Sequence, residues 1–545
     1  MAKVLGYLAY IFLAMGLLMG GITSLGGGSD AEMALMVSFM TYIMYGGFSV
    51  AAWVIVGHRK HKLHIKTAML VFAIFIASAF FAVMSAGPWL LISAVVNLTI
   101  IWFRLLKPET KAPDEIEGGG EILRGTVIAD NRDIMQDKSS KKSDDLAIKI
   151  GGVTIPKQIE ASHFLMLGGP GTGKSTAISD MLETIRKRGQ RAIVYDSTGE
   201  FLAKFYKDGD TILNPLDARS ADWVPWSDAD CRADYEQIAA AIIPDDEKQP
   251  FFPQSARALL VSLLEHTDSI EELTRMIMGA DSDELMNIVK SKGMAGLIGS
   301  GQTFANSRAS MTAPTTCLRY LKGGANRFSI KEWVADEDNN SWLFLTSRAN
   351  QRAVLRPLLS LWIDIAVTGV MLLKPNMDRR VWMIVDELPS LQKMPKISMA
   401  MAECRQFGLA TLVGVQSISQ LRETYGRDGA DALLGLPQTQ MILRLPEPEA
   451  AGWASKAIGD RHIIRKIENE SASGSGGSTG TSQQHATEPA ILPSQIQGLP
   501  NFEGFLKYPS SGGVVVTRIK LRRTDRPDIA PNYVPAAIKG VQNAQ

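Results

Sequence analysis

Phe164-Leu165-Met166-Leu167-Gly168-Gly169-Pro170-Gly171-Thr172-Gly173-Lys174-Ser175 is the stretch on which the fold turns. Its first four residues are an apolar run of strand length. The next eight match G-x-x-x-x-G-K-[ST], the phosphate-binding loop pattern. After Thr176, residues Ile178, Met181, Leu182 and Ile185 recur at i, i+3, i+4 and i+7, which predicts an amphipathic helix stopping near Gly189. Strand, glycine loop and helix thus come in the order that phosphate binding needs. Glycines let backbone N–H groups turn inward around phosphate oxygens, and the helix N-terminus adds its positive dipole. Lys174 reaches the β- and γ-phosphates and the Ser175 hydroxyl meets Mg²⁺. Gly168, Gly169, Pro170, Gly171, Thr172, Gly173, Lys174, Ser175 and Thr176 are the expected ATP-binding segment.

The complementary half lies downstream. Val381-Trp382-Met383-Ile384-Val385 reads as a buried strand ending in Asp386-Glu387. Asp386 is placed to hold Mg²⁺, directly or through water, and Glu387 to orient or deprotonate an attacking water. An acidic turn after a core strand is the plain alternative, and the P-loop weighs against it. Arg405 precedes a further strand, 410–415, and Gln416 ends it. Arg405 suits a charge-stabilising residue acting on a neighbouring subunit's phosphoryl group, or an ordinary surface ion pair. Gln416 suits a γ-phosphate sensor, or a polar strand cap.

Around this centre, residues 147–150 and 153–155 flank Gly151-Gly152, as in a hairpin. Strands are expected at 192–195, 342–345, 441–445 and 514–519. Residues 221–325 carry only helical patterns, at 234–243, 255–266, 270–278 and 284–291. Strands alternating with helices imply a mostly parallel sheet covered on both faces. Residues 471–487, rich in Ser, Gly, Thr and Gln, offer too little apolar surface to offset their ordering entropy and are expected to be a mobile loop.

The N-terminal part differs in character. Apolar stretches at 4–22, 33–57, 67–84 and 88–103 approach or exceed spanning length. The loop after the first carries Asp30 and Glu32; the loop after the second, 58–66, is strongly basic, and Arg104 and Lys107 follow the fourth. This alternation places the N-terminus and everything beyond 107 on the cytoplasmic side. His58, His61 and His64 lie in that basic loop without Cys or carboxylate companions, so a headgroup-facing loop explains them better than a metal site. Residues 1–107 hold 7 Lys or Arg against 2 Asp or Glu; the remainder holds 50 against 54. The soluble part is no polycation, so any nucleic-acid contact there is local. Three scattered cysteines, Cys231, Cys317 and Cys404, fit a reducing compartment and no disulfide framework.

With these pieces placed, the chain resembles the type IV secretion coupling proteins, conjugative DNA-transfer ATPases related to RecA-like hexameric motors. The likeness covers most of 147–520. It rests on Tyr195-Asp196-Ser197-Thr198-Gly199-Glu200, on Asn214-Pro215-Leu216-Asp217-Ala218-Arg219-Ser220 with Trp223, on Arg405-Gln406-Phe407-Gly408, and on Gln416-Ser417-Ile418-Ser419-Gln420-Leu421. It also rests on Pro446-Glu447 before Ala450 and on Ile458-Gly459. The resemblance implies an α/β RecA-like P-loop nucleotide-binding domain with an all-α inserted domain and an N-terminal α-helical transmembrane region. It implies a hexamer with ATP sites between subunits, Arg405 acting in trans, Gln416 as sensor, and a channel for DNA. It further implies relaxase or relaxosome partners, type IV secretion inner-membrane components, and an inner-membrane location with the ATPase in the cytoplasm. Family members commonly have two spans; four apolar stretches are counted here. The expected organisation is a transmembrane region at 1–107, a linker at 108–146, nucleotide-binding parts at 147–220 and 326–525, the helical insert at 221–325, and a tail at 526–545 with little capacity to fold beyond 520. A septal-type chromosome translocase and a substrate receptor with slow hydrolysis are the competing functions. An ABC transporter is disfavoured because no LSGGQ-like signature precedes the Asp-Glu strand.

Overall fold

The computed structural model describes residues 120–129, 146–246, 248–299, 301–324, 326–473, 476–510 and 512–536. The four apolar N-terminal stretches and most of the 108–146 linker lie outside the described residues. In chain order the strands are β1 (Gly120–Gly125), β2 (Ile128–Ala129), β3 (Lys149–Ile150), β4 (Val153–Thr154), β5 (Phe164–Leu167), β6 (Arg191–Asp196), β7 (Thr211–Leu213) and β8 (Trp342–Thr346). They continue as β9 (Val381–Val385), β10 (Leu409–Val415), β11 (Thr439–Ile442), β12 (Asp460–Ser473), β13 (Gly476–Pro489), β14 (Glu503–Ser510) and β15 (Gly513–Lys520).

Ten of these form one sheet in the order β2-β15-β14-β11-β5-β10-β9-β6-β8-β7. From β11 to β7 every neighbouring pair is parallel, whereas β14 and β15 add antiparallel strands at one side. The central strands are unbroken apolar runs because both faces are covered. Their side chains alternate accordingly. Leu165, Leu167, Ile193, Tyr195 and Met383 face one core. Phe164, Met166, Val194 and Ile384 face the other, against Ile178, Met181, Leu182 and Ile185 of helix Lys174–Lys187.

The first core is continuous with a layer of helices. Helices Arg232–Ile242, Phe251–His266, Ile270–Gly279, Ser282–Ser291 and Gln302–Thr315 follow β7, and no strand lies among them in the described residues. Ser269 and Asp281 cap two of these helices by accepting from the N–H groups of Glu272 and Glu284. The segment leaves and rejoins the sheet at one neck. There Phe328 N–H donates to the Asp222 carbonyl at 2.9 Å. Buried Asp228 accepts from Trp223 Nε1 (2.7 Å) on the way in and from Ser329 Oγ (2.7 Å) and Lys331 N–H (2.8 Å) on the way out. Trp223 meets Trp362 edge-on at 5.8 Å, joining this neck to helix Arg352–Met371. That helix is the one among the described residues long and apolar enough to cross a membrane, and it is largely buried as the core helix beside the sheet.

Two expectations are corrected. Residues 471–473 and 476–487 are not a loop but strand: β12 and β13 are 14 residues each and pair throughout as an antiparallel hairpin, with β1 alongside. Apolar burial was the wrong criterion, since a ladder satisfies backbone groups whatever the side chains. Residues 521–536 are also ordered. Residues 526–536 lie over other elements: Ile529 and Ala530 N–H groups donate to the Ala203 carbonyl, and Ala218 N–H donates to the Val534 carbonyl at 2.8 Å. Pro527, Pro531 and Pro535 recur every fourth residue and keep this strap extended, so it docks through backbone bonds without a core of its own. The strand expected at 441–445 is Thr439–Ile442. Helix Arg352–Met371 and strands β7 and β14 carried no signal that was read.

Gly414 in β10 marks the tightest approach in the sheet: a Cβ there would sit 1.9 Å from the Asp386 carbonyl oxygen. Gly414→Ala is expected to destabilise by about 1–3 kcal/mol in denaturant titration. Gly435→Ala, where a Cβ meets nothing within 4 Å inside a helix, is expected to be neutral or slightly stabilising.

Candidate nucleotide site

Register brings the site together. In the parallel ladder Leu167 pairs with Val415, and Val385 pairs with both Val413 and Tyr195. The residues that follow these strands (the glycine loop, Gln416, Asp386 and Ser197) therefore emerge at one carboxyl edge of the sheet, where open α/β sheets bind ligands.

The loop is anchored at its start by Gly168 N–H to the Val415 carbonyl (3.2 Å) and Gly169 N–H to the Arg444 carbonyl (3.0 Å). Thr172 Oγ1 donates to the Gly169 carbonyl at 2.7 Å, tying the loop across itself. Gly171 and Gly173 have φ of 71° and 115°, a region that favours glycine, and Gly173 is the N-cap of helix Lys174–Lys187. This supplies the free N–H groups and the helix terminus that an anion needs.

Lys174 Nζ lies 3.1 Å from Glu387 Oε2, and both residues are buried. Glu387 Oε1 accepts from Gln416 N–H at 3.4 Å, so β9, β10 and the P-loop helix meet on one carboxylate. Asp386 Oδ2 accepts from Ser197 Oγ at 3.2 Å. Burial pushes both carboxyls above their ordinary range, and Lys174 opposes the shift in each. Asp196, wholly buried just behind, is pushed up to about 6 by desolvation. Its carboxylate accepts from Thr198, Gly199 and Leu202 N–H groups and so shapes the turn leading to Glu200.

A cavity of about 260 Å³ opens over the loop, lined by Gly169, Pro170, Gly171, Gly173, Lys174, Ser175 and Thr176, with Gln416 on its wall. Ser175 and Asp386 offer hard oxygens of the kind Mg²⁺ takes together with phosphate oxygens. Among the described residues no three His, Cys, Asp or Glu side chains cluster as a metal cage. Glu200, Lys204, Phe502 and Arg523 to Arg526 also line the cavity and were not anticipated as site residues. Glu200 closes the Tyr195-to-Glu200 run that had been singled out, so its signal was present. Phe502 had none.

Arg405 does not join this site within its own chain. It is exposed on the turn Cys404–Phe407, which precedes β10, whereas Gln416 follows that strand. The seven-residue strand between them separates them by about 23 Å.

The family model for the type IV secretion-system coupling protein DNA-binding domain matches residues 147–522. The chain belongs to the type IV secretion coupling proteins. Family membership sets aside the septal-type translocase. Coupling protein TraD of Escherichia coli (strain K12) is 30% identical over 478 residues, covering 84% of this chain and 65% of TraD. The conjugal transfer protein TraG of Agrobacterium fabrum is 23% identical over 64% of this chain and 55% of its own. This coupling protein thus spans about two thirds or less of these relatives' lengths. Among solved structures, plasmid coupling protein TrwB in complex with a non-hydrolysable ATP analogue aligns with a TM-score of 0.69 and 25% identity, covering 78% of this chain and all of that one. TrwB in complex with ADP and Mg²⁺ aligns with a TM-score of 0.67 and 25% identity over 76% of this chain and 97% of that one.

Asp196 gives the site a pH signature. Folding raises its pKa from 3.8 to about 6, so the folded form takes up the extra proton. Its contribution to stability is full at low pH and is lost as pH rises through about 6. Asp196→Asn is expected to flatten the pH dependence of the urea midpoint between pH 4 and 7. A slope identical to wild type contradicts the assignment.

Proposed function

We propose that this coupling protein binds ATP and Mg²⁺ at the P-loop and hydrolyses ATP to drive DNA transfer into a type IV secretion channel during conjugation. The observation that carries the reading is the convergence of Lys174, Glu387 and Gln416 at one carboxyl edge beside a glycine loop. The nucleotide-bound states of TrwB support it. Gly168 to Thr176 hold the phosphates, and Lys174 exchanges its ion pair with Glu387 for phosphate oxygens. That exchange frees the Glu387 carboxylate to accept a proton from the attacking water. Ser175 and Asp386 hold Mg²⁺, which neutralises phosphate charge when bound. Gln416, bonded to Glu387 through its backbone, senses the γ-phosphate. Arg405, remote in its own chain, acts on the site of the next subunit in a hexamer.

The organisation proposed follows the sequence reading: residues 1–107 anchor the protein in the inner membrane, 108–146 link, 147–220 and 326–525 form the motor, and 221–325 form a helical insert. The motor stays in the cytoplasm and meets DNA, the relaxase complex and the inner-membrane part of the channel.

Glu387→Gln is expected to lower ATP hydrolysis by about 10²–10⁴-fold while ADP binding persists. Wild-type hydrolysis in that protein contradicts the role. Mixing Arg405→Ala with Lys174→Ala subunits tests action in trans. Some mixed interfaces then hold both intact partners, so partial recovery of ATPase is expected; no recovery at any ratio contradicts it.

A further inference from the structure

The mechanism draws on residues at the ends of β9 and β10 but leaves out helix Arg352–Met371, which touches two of the loops at that sheet edge. The helix begins with Arg352, and Arg356 and Ser360 follow at i+4 and i+8, so the three share one face. A cation at the first position of a helix sits at the positive end of its dipole, and no acidic residue stands in this helix's own first turn. What the two arginines meet instead are loop carbonyls. Arg352 Nη2 donates to the Ser197 carbonyl, and Arg356 Nη2 donates to the Leu391 carbonyl. The Nε of each is buried and has no partner among the described residues. An unpaired buried donor is a cost that a purely structural tie could avoid with a smaller side chain.

The two loops are those that aim the acids. On the first, Ser197 Oγ donates to Asp386 Oδ2 at 3.2 Å, so the carbonyl held by Arg352 belongs to the residue that orients Asp386. The charge of Arg352 also reaches Asp386: burial raises that carboxyl, and Arg352 is among the groups that oppose the rise. On the second, Glu387 leads into the turn Leu388–Ser390, after which comes Leu391. Ser390 Oγ donates back to the Glu387 carbonyl at 2.6 Å and meets Tyr195 Oη at 2.7 Å. Ser360 Oγ accepts from Gln392 N–H at 2.9 Å, one residue past the carbonyl that Arg356 holds. Arg352 therefore bears on the metal side of the site and Arg356 on the water side. Neither arginine lines the cavity over the P-loop, so each acts through another residue.

We infer that Arg352 and Arg356 are positioning residues for ATP hydrolysis: Arg352 sets Asp386 through Ser197, and Arg356 sets Glu387 through the turn before Leu391. This rests on the nucleotide reading above and assigns the residues that aim its two acids.

The full-length protein in lipid nanodiscs is titrated calorimetrically with a non-hydrolysable ATP analogue, in Mg²⁺ and in EDTA, and its ATP hydrolysis is measured alongside. Arg352→Gln is expected to weaken the analogue by about 10- to 100-fold in Mg²⁺, the scale of losing a group that orients a metal ligand. Its affinity in EDTA should match wild type. Arg356→Gln is expected to keep both affinities and to lower kcat by about 10- to 100-fold, the scale of a misplaced reacting group. Arg352→Lys keeps a charged donor toward the Ser197 carbonyl and should regain part of the Mg²⁺-dependent affinity. Losses equal in Mg²⁺ and in EDTA, in either Gln variant, mark a structural role and overturn the inference. So do unchanged binding in Arg352→Gln, unchanged kcat in Arg356→Gln, and an Arg352→Lys protein no better than Arg352→Gln. A wild type that binds no analogue takes down the nucleotide reading itself.

Discussion

A buried ammonium and a buried carboxylate, Lys174 and Glu387, hold three elements of this protein in register. Lys174 opens the P-loop helix, Glu387 ends β9, and the N–H after β10 closes on the same carboxylate. Each charge is costly to bury alone, and each is tolerable because the other is there. The pair also states what a phosphate must do on arrival: compete with Glu387 for Lys174. Structural economy and chemistry thus share one contact, and the shape of the sheet edge follows from satisfying it. Gly414 is part of that bargain, since a side chain there would push the strand carrying Gln416 away from Asp386.

The helical layer extends the same logic. Its apolar residues join the core on one face of the sheet, and Asp228 pins both its entry and its exit with buried hydrogen bonds. The edge-on contact of Trp223 with Trp362 joins this neck to helix Arg352–Met371. The strap plays the opposite part: exposed for most of its length, it is held by backbone bonds, by the Arg526 ion pairs and by the bonds of Tyr533 and Val534 to Leu216 and Asp217.

Much of this was legible in the residues. Phe164 to Ser175 announced strand, loop and helix because the glycine spacing has a mechanical purpose, and Val381 to Glu387 announced the acid strand because an apolar run ended in two carboxylates. The parallel sheet followed from unbroken apolar strands. What escaped reading was structure that does not rest on apolar pattern. The β12–β13 hairpin is polar and held by its ladder. The strap is proline-spaced and held by other elements' carbonyls. Phe502 takes its positive φ between a backbone bond to Thr172, far upstream, and one from Leu521, which no local pattern encodes. Arg405 lies on an exposed turn at the other end of β10 from Gln416, and its action on a second subunit belongs to the proposal.

The central claim is that this nucleotide site drives an engine that engages DNA. The direct measurement is the ATP hydrolysis rate of the full-length protein with and without single- and double-stranded DNA, at low and moderate salt. The account predicts strong stimulation by DNA that weakens as salt rises, because phosphate contacts release counterions. Hydrolysis indifferent to every DNA at every salt concentration would contradict it.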